Sequence, residues 1–456
     1  MWNEELLLTT GTARTLYHEV AEHLPIIDFH NHLAAADLLT DRRFDDIYDL
    51  WVASDPYKHR AMRICGVPER LITGDALPGE KFAAWAETLP KLTGNPLYHW
   101  SQLELKRVFG IDDELAPSSA GSIRDRAGRV LVSECLSMRS ILKKFDVAYC
   151  APCAGINDRI AAFGAIPEAV PSLRGDDLLA PTSNFVETLA ASSGLAVGDY
   201  PGFCDAVRRR LDDFDDAGCR IADHALDDGF RYVPVGESEA AELFAKTLDG
   251  TLPAEGGSKL ASTILDFLIG EYAKRNWILQ LHIGAHRRTS TRLRRLAGAA
   301  GGFAGIGHAC DIASLASMLD AAECGKHGLP RTILYTLNPA DHAVLAVLAG
   351  SFPGDGVPGK LQLGPAWWYC DHLDGMRDQF EKTAAYGVLS QFIGMTTDSR
   401  TPLSFARHEY FRRAFCGWLG EKAERGEMPK DMDALRMLVR AVCFENAKNY
   451  IGVKLV

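Results

Sequence analysis

The chain has 456 residues, of which 47% are hydrophobic and 24% are charged. This balance is typical of a globular protein with a sizeable apolar core, and it excludes a largely disordered chain. The formal charge of −11 and the absence of a dense Lys/Arg run disfavour a nucleic-acid partner.

The N-terminal residues, the apolar runs and the cysteines indicate the cellular compartment of the protein. No basic residue precedes Leu6, so we expect no signal peptide, and no run of ~18 apolar residues predicts a membrane span. The 11 scattered cysteines suit reduced thiols and a cytoplasmic protein. Cys150 and Cys153 have the spacing of a redox or zinc pair, but no second pair accompanies them. Their apolar surroundings favour two buried thiols.

The first strand-like stretch is Pro-Ile-Ile-Asp-Phe-His-Asn-His at 25–32. On an extended strand, His30 and His32 point to the same face, so that two imidazole nitrogens approach one point. Neutral imidazoles are common ligands of transition metals, and this pair could hold one ion. A polar strand end without a ligand is the alternative interpretation.

Residues 34–144 contain few strand-like runs and many amphipathic ones. The spacing of Phe44, Ile47, Leu50 and Trp51 is helical, and residues 81–89 and 103–109 repeat the pattern. We therefore predict a large, mainly helical insertion after the first strand, within a single domain that spans residues 1–456.

Apolar runs then alternate with helical patterns. With the first strand, the candidate strands number eight; the other seven are 147–151, 165–170, 219–222, 277–283, 332–337, 361–363 and 392–396. Short continuous apolar runs separated by helices are typical of parallel strands that are buried on both faces. The sequence predicts an α/β fold, a (β/α)8 TIM barrel, in which functional groups lie at the carboxyl ends of the strands.

Polar residues do occupy these predicted strand ends. They are His30, His32, Arg174, Asp223, His282, Arg287, Trp367, Asp398 and Arg400. Taken singly, His282 could be a hydrogen-bonded core histidine and Asp398 a helix cap. Taken together, three histidines and a carboxylate at one rim predict a site for a divalent ion with ligands His30, His32, His282 and Asp398.

The sequence resembles the uronate isomerase (glucuronate isomerase) family of the amidohydrolase superfamily over nearly its whole length. The motifs that carry the resemblance are DFHNHL (28–33), DPYKHRAMR (55–63), EKF (80–82), GNPLYHW (94–100), LHIGA (281–285), LNP (337–339), WWY (367–369), GMTTDSR (394–400) and HEYFRR (408–413). The resemblance implies interconversion of D-glucuronate with D-fructuronate and of D-galacturonate with D-tagaturonate.

The resemblance also implies residue roles. His30, His32 and Asp398 match the metal site, and His282 matches a ligand or a neighbour of the metal-bound water. Tyr57, Arg400 and Asp398 match catalytic residues. The implied substrate-binding residues are Arg174, Asp223, Arg287, Trp367 and His59. The expected cofactor is one divalent ion, Zn²⁺ first and Mn²⁺ or Fe²⁺ as alternatives. The expected partner is a small sugar acid, with a homo-oligomer as the general expectation for enzymes.

The chain departs from the family pattern around the predicted pocket. Pro56 replaces a histidine before the tyrosine, and His59 replaces a tryptophan after the lysine. Residues 151–155 read Ala-Pro-Cys-Ala-Gly where an acidic Thr-Asp-Asp-Pro-like stretch is usual. The segment 288–290 lacks the usual asparagines, and Asp341-His342 replaces an Asp-Asn pair. These departures affect substrate preference more than the core chemistry.

Two other classes of function compete with this interpretation. A mononuclear metal-dependent hydrolase or decarboxylase on the same barrel would use Asp398 to take a proton from a metal-bound water. A non-catalytic sugar-acid binding protein would keep the barrel but lack a ligand or Tyr57. Neither is missing, which favours an enzyme.

Overall fold

The computed structural model describes residues 3–166 and 168–453. The strands in these ranges are β1 (Ile26–Asn31), β2 (Val147–Gly155), β3 (Ser172–Arg174), β4 (Ile221–Leu226), β5 (Ile278–Ile283), β6 (Ala285–His286), β7 (Gly305–Ile306), β8 (Thr332–Thr336) and β9 (Leu361–Leu363). Seven of them form one parallel sheet in the order β1, β2, β3, β4, β5, β8, β9. The predicted α/β class is therefore correct.

Several strands of the sheet are buried along their whole length. Every residue of β1, β5 and β8 is buried. Helices cover the sheet, so both faces of each strand meet apolar side chains, which explains why the strands appear as continuous apolar runs in the sequence. The short strands β6 and β7 form a separate antiparallel pair after β5.

The helices in the described ranges are α1 (Gly11–Glu19), α2 (Ala35–Leu39), α3 (Ile47–Trp51), α4 (Pro56–Ile64), α5 (Pro78–Thr88), α6 (Pro96–Phe109), α7 (Ala120–Ser133), α8 (Met138–Lys144), α9 (Asp176–Leu179), α10 (Ser183–Ser193), α11 (Tyr200–Asp216), α12 (Glu237–Leu248), α13 (Ala254–Lys274), α14 (Thr291–Ala297), α15 (Ile312–Cys324), α16 (His342–Ala349), α17 (Leu373–Tyr386), α18 (Ala406–Glu424), α19 (Met432–Arg440) and α20 (Asn446–Ile451). Helices α2–α8 all lie between β1 and β2, where the sequence predicts a helical segment. Among the described residues, no helix has the length and apolarity that crossing a membrane requires.

The predicted eighth strand, 392–396, is not a strand in the described part of the chain. Its backbone reverses hand at Gly394, where φ is +89° and an added Cβ would lie 2.1 Å from the Val442 carbonyl oxygen. The segment still lies against β1, because the Asp398 amide donates to the His30 carbonyl at 3.0 Å and the His32 amide to the Ser399 carbonyl at 2.7 Å. The described sheet thus has seven strands where eight were predicted.

The third predicted strand, 165–170, is also wrong. Residues Ala161–Ala165 form a 3-10 helix, and Ala169 makes only an isolated bridge to Cys150. Pro167 lies outside the described residues. Proline has no amide to donate to a neighbouring strand, and the sheet is entered only after Pro171, at β3.

Two strands extend further than predicted. Strand β2 continues through Gly155 instead of ending at residue 151, and β4 continues through Leu226 instead of ending at residue 222. These extensions bring Cys153, Asp223 and His224 into the sheet itself. The regular strand backbone therefore sets the direction of these three side chains, which were predicted to lie in loops or at strand ends.

Candidate active site

A cavity of about 550 Å³ opens at the carboxyl ends of the strands. This volume lies within the usual range for small-molecule sites. The wall is built by strand ends, by helix α4 and by the segment after β5. Its lining includes His30, His32, Tyr57, Arg60, Cys153, Asp158, Arg174, Asp177, His282, Arg287, Arg294, Trp367, Trp368, Tyr369, Asp398 and Arg400. Most of the residues predicted for the site are therefore brought together.

The centre of the cavity wall is the cluster of His30, His32 and Asp398. Asp398 Oδ1 lies 3.3 Å from His30 Nε2 and 3.0 Å from His32 Nε2. Burial acts to raise the pKa of the Asp398 carboxyl, but the close approach and the charges of the two histidines outweigh burial and hold this pKa well below its usual value. The carboxylate is thus ionised at neutral pH.

The segment that carries Asp398 is fixed by Asp28, a buried residue of β1. Asp28 Oδ2 accepts hydrogen bonds from the Thr397 amide at 2.9 Å and pairs with His408 Nε2 of α18 at 2.9 Å. Asp398 itself has φ +51°, a left-handed conformation that costs energy in most residues. Fixing the neighbouring amide by Asp28 stabilises this unusual backbone and sets the direction of the carboxylate.

Two tryptophans hold the second oxygen of Asp398. The indole N–H groups of Trp367 and Trp368 donate hydrogen bonds to Asp398 Oδ2 at 3.0 Å and 2.6 Å. Oδ1, which faces the histidines, makes no hydrogen bond of acceptable geometry. The tryptophans therefore orient the carboxylate so that its other oxygen is directed at His30 and His32.

His282 completes one side of the cluster. Its ring stacks on Tyr335 with centroids 4.4 Å apart and lies 4.5 Å from the ring of His30. Burial, together with the positive charges of His30 and Arg174, lowers the pKa of His282 well below its ordinary value. Neither ring nitrogen has a hydrogen-bond partner, although the residue is only 1% exposed.

Asp223, which is buried, and Arg174, which is half-buried, form an ion pair beside His282. The Arg174 guanidinium binds Asp223 Oδ2 at 2.6 Å and Asp176 Oδ2 at 2.7 Å. Asp223 Oδ2 also lies 3.7 Å from His282 Nδ1. Arg174 lines the cavity while Asp223 stands behind it, so the carboxylate acts on the cavity through Arg174, His282 and Cys153.

The donor set fits a metal ion. The donor atoms of His30, His32 and Cys153 lie within 4.8 Å of one another, as do those of His30, Asp223 and His282. Ligand atoms about 2.1 Å from one tetrahedral ion are about 3.4 Å apart, which is close to the observed distances from Asp398 Oδ1 to the two histidines. Unpartnered buried atoms, namely His30 Nε2, both ring nitrogens of His282 and Asp398 Oδ1, are explained by a cation.

Tyr57 reaches the cavity from the first turn of α4. Asp55 caps this helix by accepting from the amides of Tyr57 and Lys58 at 2.9 Å and 3.1 Å. The Tyr57 hydroxyl is buried and has no hydrogen-bond partner. Burial raises the pKa of Tyr57 far above its usual value, more than the nearby Arg407 lowers it, so the phenol remains protonated.

Arginines dominate the charge of the wall. The lining contains five arginines and three aspartates, whereas the whole chain carries a formal charge of −11. Arg287 pairs with Asp227 at 2.8 Å and lies over the Trp368 ring. Arg400 lines the cavity, and its guanidinium has no ion-pair partner within the ranges 3–166 and 168–453. The cavity is suited to an anion.

Two predicted site residues, His59 and Asp223, do not line the cavity, and His59 is the one that points away from it. It is buried, and its Nε2 atom has no hydrogen-bond partner. Pro56, Tyr57 and Arg60 face the cavity from α4, and the helical period turns His59 away from that face. Arg60, which is one residue further along the chain, lines the cavity instead.

Several residues of the cavity wall were not predicted from the sequence. Arg60, Asp158, Asp177 and Tyr369 line the cavity, and none was singled out as a site residue. The position of Arg60, one helical turn after Tyr57, could have identified it. Cys153 was interpreted as a buried thiol. Cys150 is indeed buried, but Cys153 is half-buried and lines the cavity.

Comparisons with known proteins agree on one family. A family model described as glucuronate isomerase matches residues 1–451. Proteins named uronate isomerase from Serratia proteamaculans and Caldanaerobacter subterraneus subsp. tengcongensis are each 41% identical to this chain, over 99% of both chains. The crystal structure of a uronate isomerase from Thermotoga maritima superposes with a TM-score of 0.92 at 27% identity, covering 99% of each chain.

The similarity extends across the strands, the helices α2–α8 and the cavity alike. The matched length leaves no large part of the chain outside the comparison. This protein belongs to the uronate isomerase family.

Proposed function

We propose that this protein is a uronate isomerase, an aldose–ketose isomerase that interconverts D-glucuronate with D-fructuronate and D-galacturonate with D-tagaturonate. The observation that carries the proposal is the arginine-rich cavity beside a cluster of histidines and an aspartate. A planar guanidinium binds a carboxylate through two parallel hydrogen bonds, which suits a uronate better than a neutral sugar.

The reaction moves one proton between neighbouring carbons, C2 and C1 of the open-chain sugar, through an enediol. It needs a base for the C2 proton, a group that exchanges protons with the two oxygens, and positive charge near the developing oxyanion. Asp398 is the proposed base, because its carboxylate is ionised, it lines the cavity, and its Oδ1 atom accepts no hydrogen bond.

Tyr57 is the proposed proton donor. Its phenol faces the cavity, has no partner and stays protonated at neutral pH. A protonated phenol can donate to the substrate oxygen that gains negative charge. A buried hydroxyl without a partner is costly in the free protein, and a substrate oxygen would supply the missing hydrogen bond.

The arginines have distinct proposed roles. Arg400 is the candidate for the substrate carboxylate, since its guanidinium is not engaged by any acidic side chain of the described chain. Arg174 is already held by Asp223 and Asp176, so it contributes a fixed positive charge near the intermediate. Arg287 and Trp367 both line the proposed substrate site.

The proposed cofactor is one divalent ion, Zn²⁺ first and Mn²⁺ or Fe²⁺ as alternatives, held by His30, His32 and Asp398 with His282 as a ligand or close neighbour. When bound, it supplies positive charge that polarises the substrate oxygens. Imidazole with carboxylate suits each of these metals.

The test is isomerisation of both sugar acids by metal-loaded protein. We expect conversion of at least one, loss of activity on chelation, and a fall in kcat on the order of 10³-fold for Asp398→Asn, because the amide cannot accept the proton. Asp355→Asn, at an exposed position away from the cavity, is the matched control. Metal-loaded protein that converts neither sugar acid would contradict the proposal.

A further inference from the structure

Arg407 is a buried cation just behind the wall of the cavity. It lies in the first turn of α18 and is only 3% exposed. It forms an ion pair with Asp371, whose carboxylate is also buried. Among the described residues, its Nε atom has no hydrogen-bond partner. Because burying a charge is costly, this cation calls for an explanation beyond a single ion pair.

Two aromatic rings enclose this guanidinium. Its central carbon lies 4.4 Å from the centre of the Trp100 ring and 5.6 Å from the centre of the Tyr57 ring. Both distances are within the range in which a cation is attracted to an aromatic face. Arg407 therefore approaches Tyr57 through its ring, and the phenol hydroxyl remains unpaired in the cavity wall.

The ion pair also reaches the segment that holds Asp398. The amide of Asp371 donates to the Trp368 carbonyl at 3.0 Å, and the Trp368 indole donates to Asp398. A purely structural role, in which the pair only anchors this segment to α18, is therefore the competing explanation. An anchor would make the loss of either member of the pair equally harmful to the reaction.

The proposed isomerisation places a transient negative charge on Tyr57. Asp398 removes the C2 proton of the aldose while the Tyr57 hydroxyl gives its proton to the carbonyl oxygen on C1. The phenolate then takes the proton of the C2 hydroxyl, and Asp398 returns its own proton to C1, which completes the ketose. Burial raises the pKa of Tyr57, so this phenolate is costly, and the charge of Arg407 opposes the rise.

We infer that Arg407 is a positioning residue of the isomerisation, which holds a fixed positive charge against the Tyr57 ring and so stabilises the phenolate. The inference rests on the proposed function. The negative charge of a phenolate extends over its ring, so a cation over the ring face stabilises the phenolate more than the neutral phenol. The interaction is thus stronger during the reaction than in the resting protein, as catalysis requires.

The test is a double-mutant cycle on kcat in the full, metal-loaded chain. We expect Arg407→Met to lower kcat by about 30-fold and to change KM by less than about threefold, because Arg407 lies behind the wall. In the Tyr57→Phe background, the same substitution should change kcat by less than about threefold, since no phenolate forms there. Equal falls of kcat in the two backgrounds would overturn the inference.

Two conservative variants separate the charge from the anchor. Arg407→Lys keeps a cation against the rings but loses the planar fork that binds Asp371, and we expect it to retain at least about a third of the wild-type kcat. Asp371→Asn weakens the ion pair but leaves the cation, so kcat should stay within about threefold of the wild type. If Asp371→Asn lowered kcat as much as Arg407→Met does, the pair would act only as an anchor.

Folding is measured separately from catalysis. Arg407→Met leaves Asp371 buried without its cation, so urea unfolding of each variant establishes that it is folded before kcat is compared. If it does not fold, the double variant Arg407→Met/Asp371→Asn, which removes both charges, takes its place with the same expected fall in kcat. Arg275→Met is the matched control, because this arginine is ion-paired to Glu271 just before β5, at the end of the strand opposite the cavity. It should leave kcat unchanged.

The outcomes distinguish this inference from the proposed function. Wild-type protein that converts neither sugar acid would contradict both. An active wild type in which Arg407→Met has the same effect with and without the Tyr57 hydroxyl would overturn only the inference. A Tyr57→Phe variant with wild-type kcat would remove the proposed proton donor, and the inference would fall with it.

Discussion

Helix α4 borders two buried polar clusters that differ in how their polar atoms are paired. On one side, Lys58 Nζ lies 2.7 Å from Asp55 Oδ2 and 3.4 Å from Glu104 Oε2, and Trp51 and Ser404 also donate to Glu104. We call Asp55, Lys58 and Glu104 the ionic cluster. On the other side lie His30, His282 and Asp398, which we call the cavity cluster. Ring nitrogens of both histidines and one oxygen of the aspartate have no hydrogen-bond partner.

The pairing of the polar atoms distinguishes a cluster that stabilises the fold from one that binds a ligand. A buried polar atom without a partner costs about 1–3 kcal/mol, so a folded protein keeps one only where something else offsets the cost. The ionic cluster is complete by itself and holds helices α3, α4 and α6 together. The cavity cluster is complete only with a bound cation and substrate. Substitutions in the two clusters should therefore affect different quantities.

The largest effect on stability should follow the loss of the lysine from the ionic cluster. Lys58→Met leaves two buried carboxyl groups without their cation, so we expect the free energy of unfolding to fall by about 3–5 kcal/mol. Urea unfolding followed by circular dichroism measures it. Lys91→Met, at an exposed lysine, is the matched control. A loss below about 1 kcal/mol would mean that the ionic cluster is not what holds these helices.

The next largest effect should be on catalysis alone. Tyr57→Phe removes a hydroxyl that has no partner in the free protein, while the ring keeps its packing against Trp100, with centroids 6.2 Å apart. We expect kcat to fall by about 10²-fold with the free energy of unfolding unchanged. Tyr386→Phe, on an exposed tyrosine, should change neither. If Tyr57→Phe lowered the free energy of unfolding as much as Lys58→Met does, the two clusters would not differ in the way proposed.

The smallest effect should come from a third, partly exposed group of charges, Arg107 and Glu409. Burial acts to raise the pKa of Glu409, but the hydrogen bonds of Arg107 and the charge of Arg413 outweigh it and lower this pKa. The stability that Glu409 contributes is therefore fully present above the unfolded carboxyl pKa of about 4.3. It is lost as the pH falls through the lower pKa of the folded state.

Removing the arginine should flatten that pH dependence. In Arg107→Gln, the pKa of Glu409 in the folded state moves up towards its unfolded value. We expect a loss of about 1 kcal/mol at pH 7, because the pair is partly exposed. The difference in melting temperature between wild type and variant should shrink as the pH falls below about 4. A difference that stays constant with pH would show that Arg107 acts through packing and not through charge.

Features that depend on local pattern could be predicted from the sequence alone. Continuous apolar runs located most of the parallel strands, and the strand 361–363 was predicted with its observed bounds. The spacing of His30 and His32 placed both rings on one face of a strand, since side chains alternate along an extended chain. The helical period likewise predicted the helices between β1 and β2.

Features that depend on contacts between distant segments could not be predicted from the sequence and are seen only in the folded structure. The eighth predicted strand does not form, because Gly394 and Asp398 have positive φ angles that are incompatible with a regular strand. Contacts with other elements stabilise these angles. The extension of β2 brought Cys153 to His30, and the rotation of α4 turned Arg60 into the cavity and His59 out of it. Residue type and spacing specify which groups are available for chemistry. Which of their atoms meet is set by packing, because a one-residue change in strand length or helix rotation redirects a side chain.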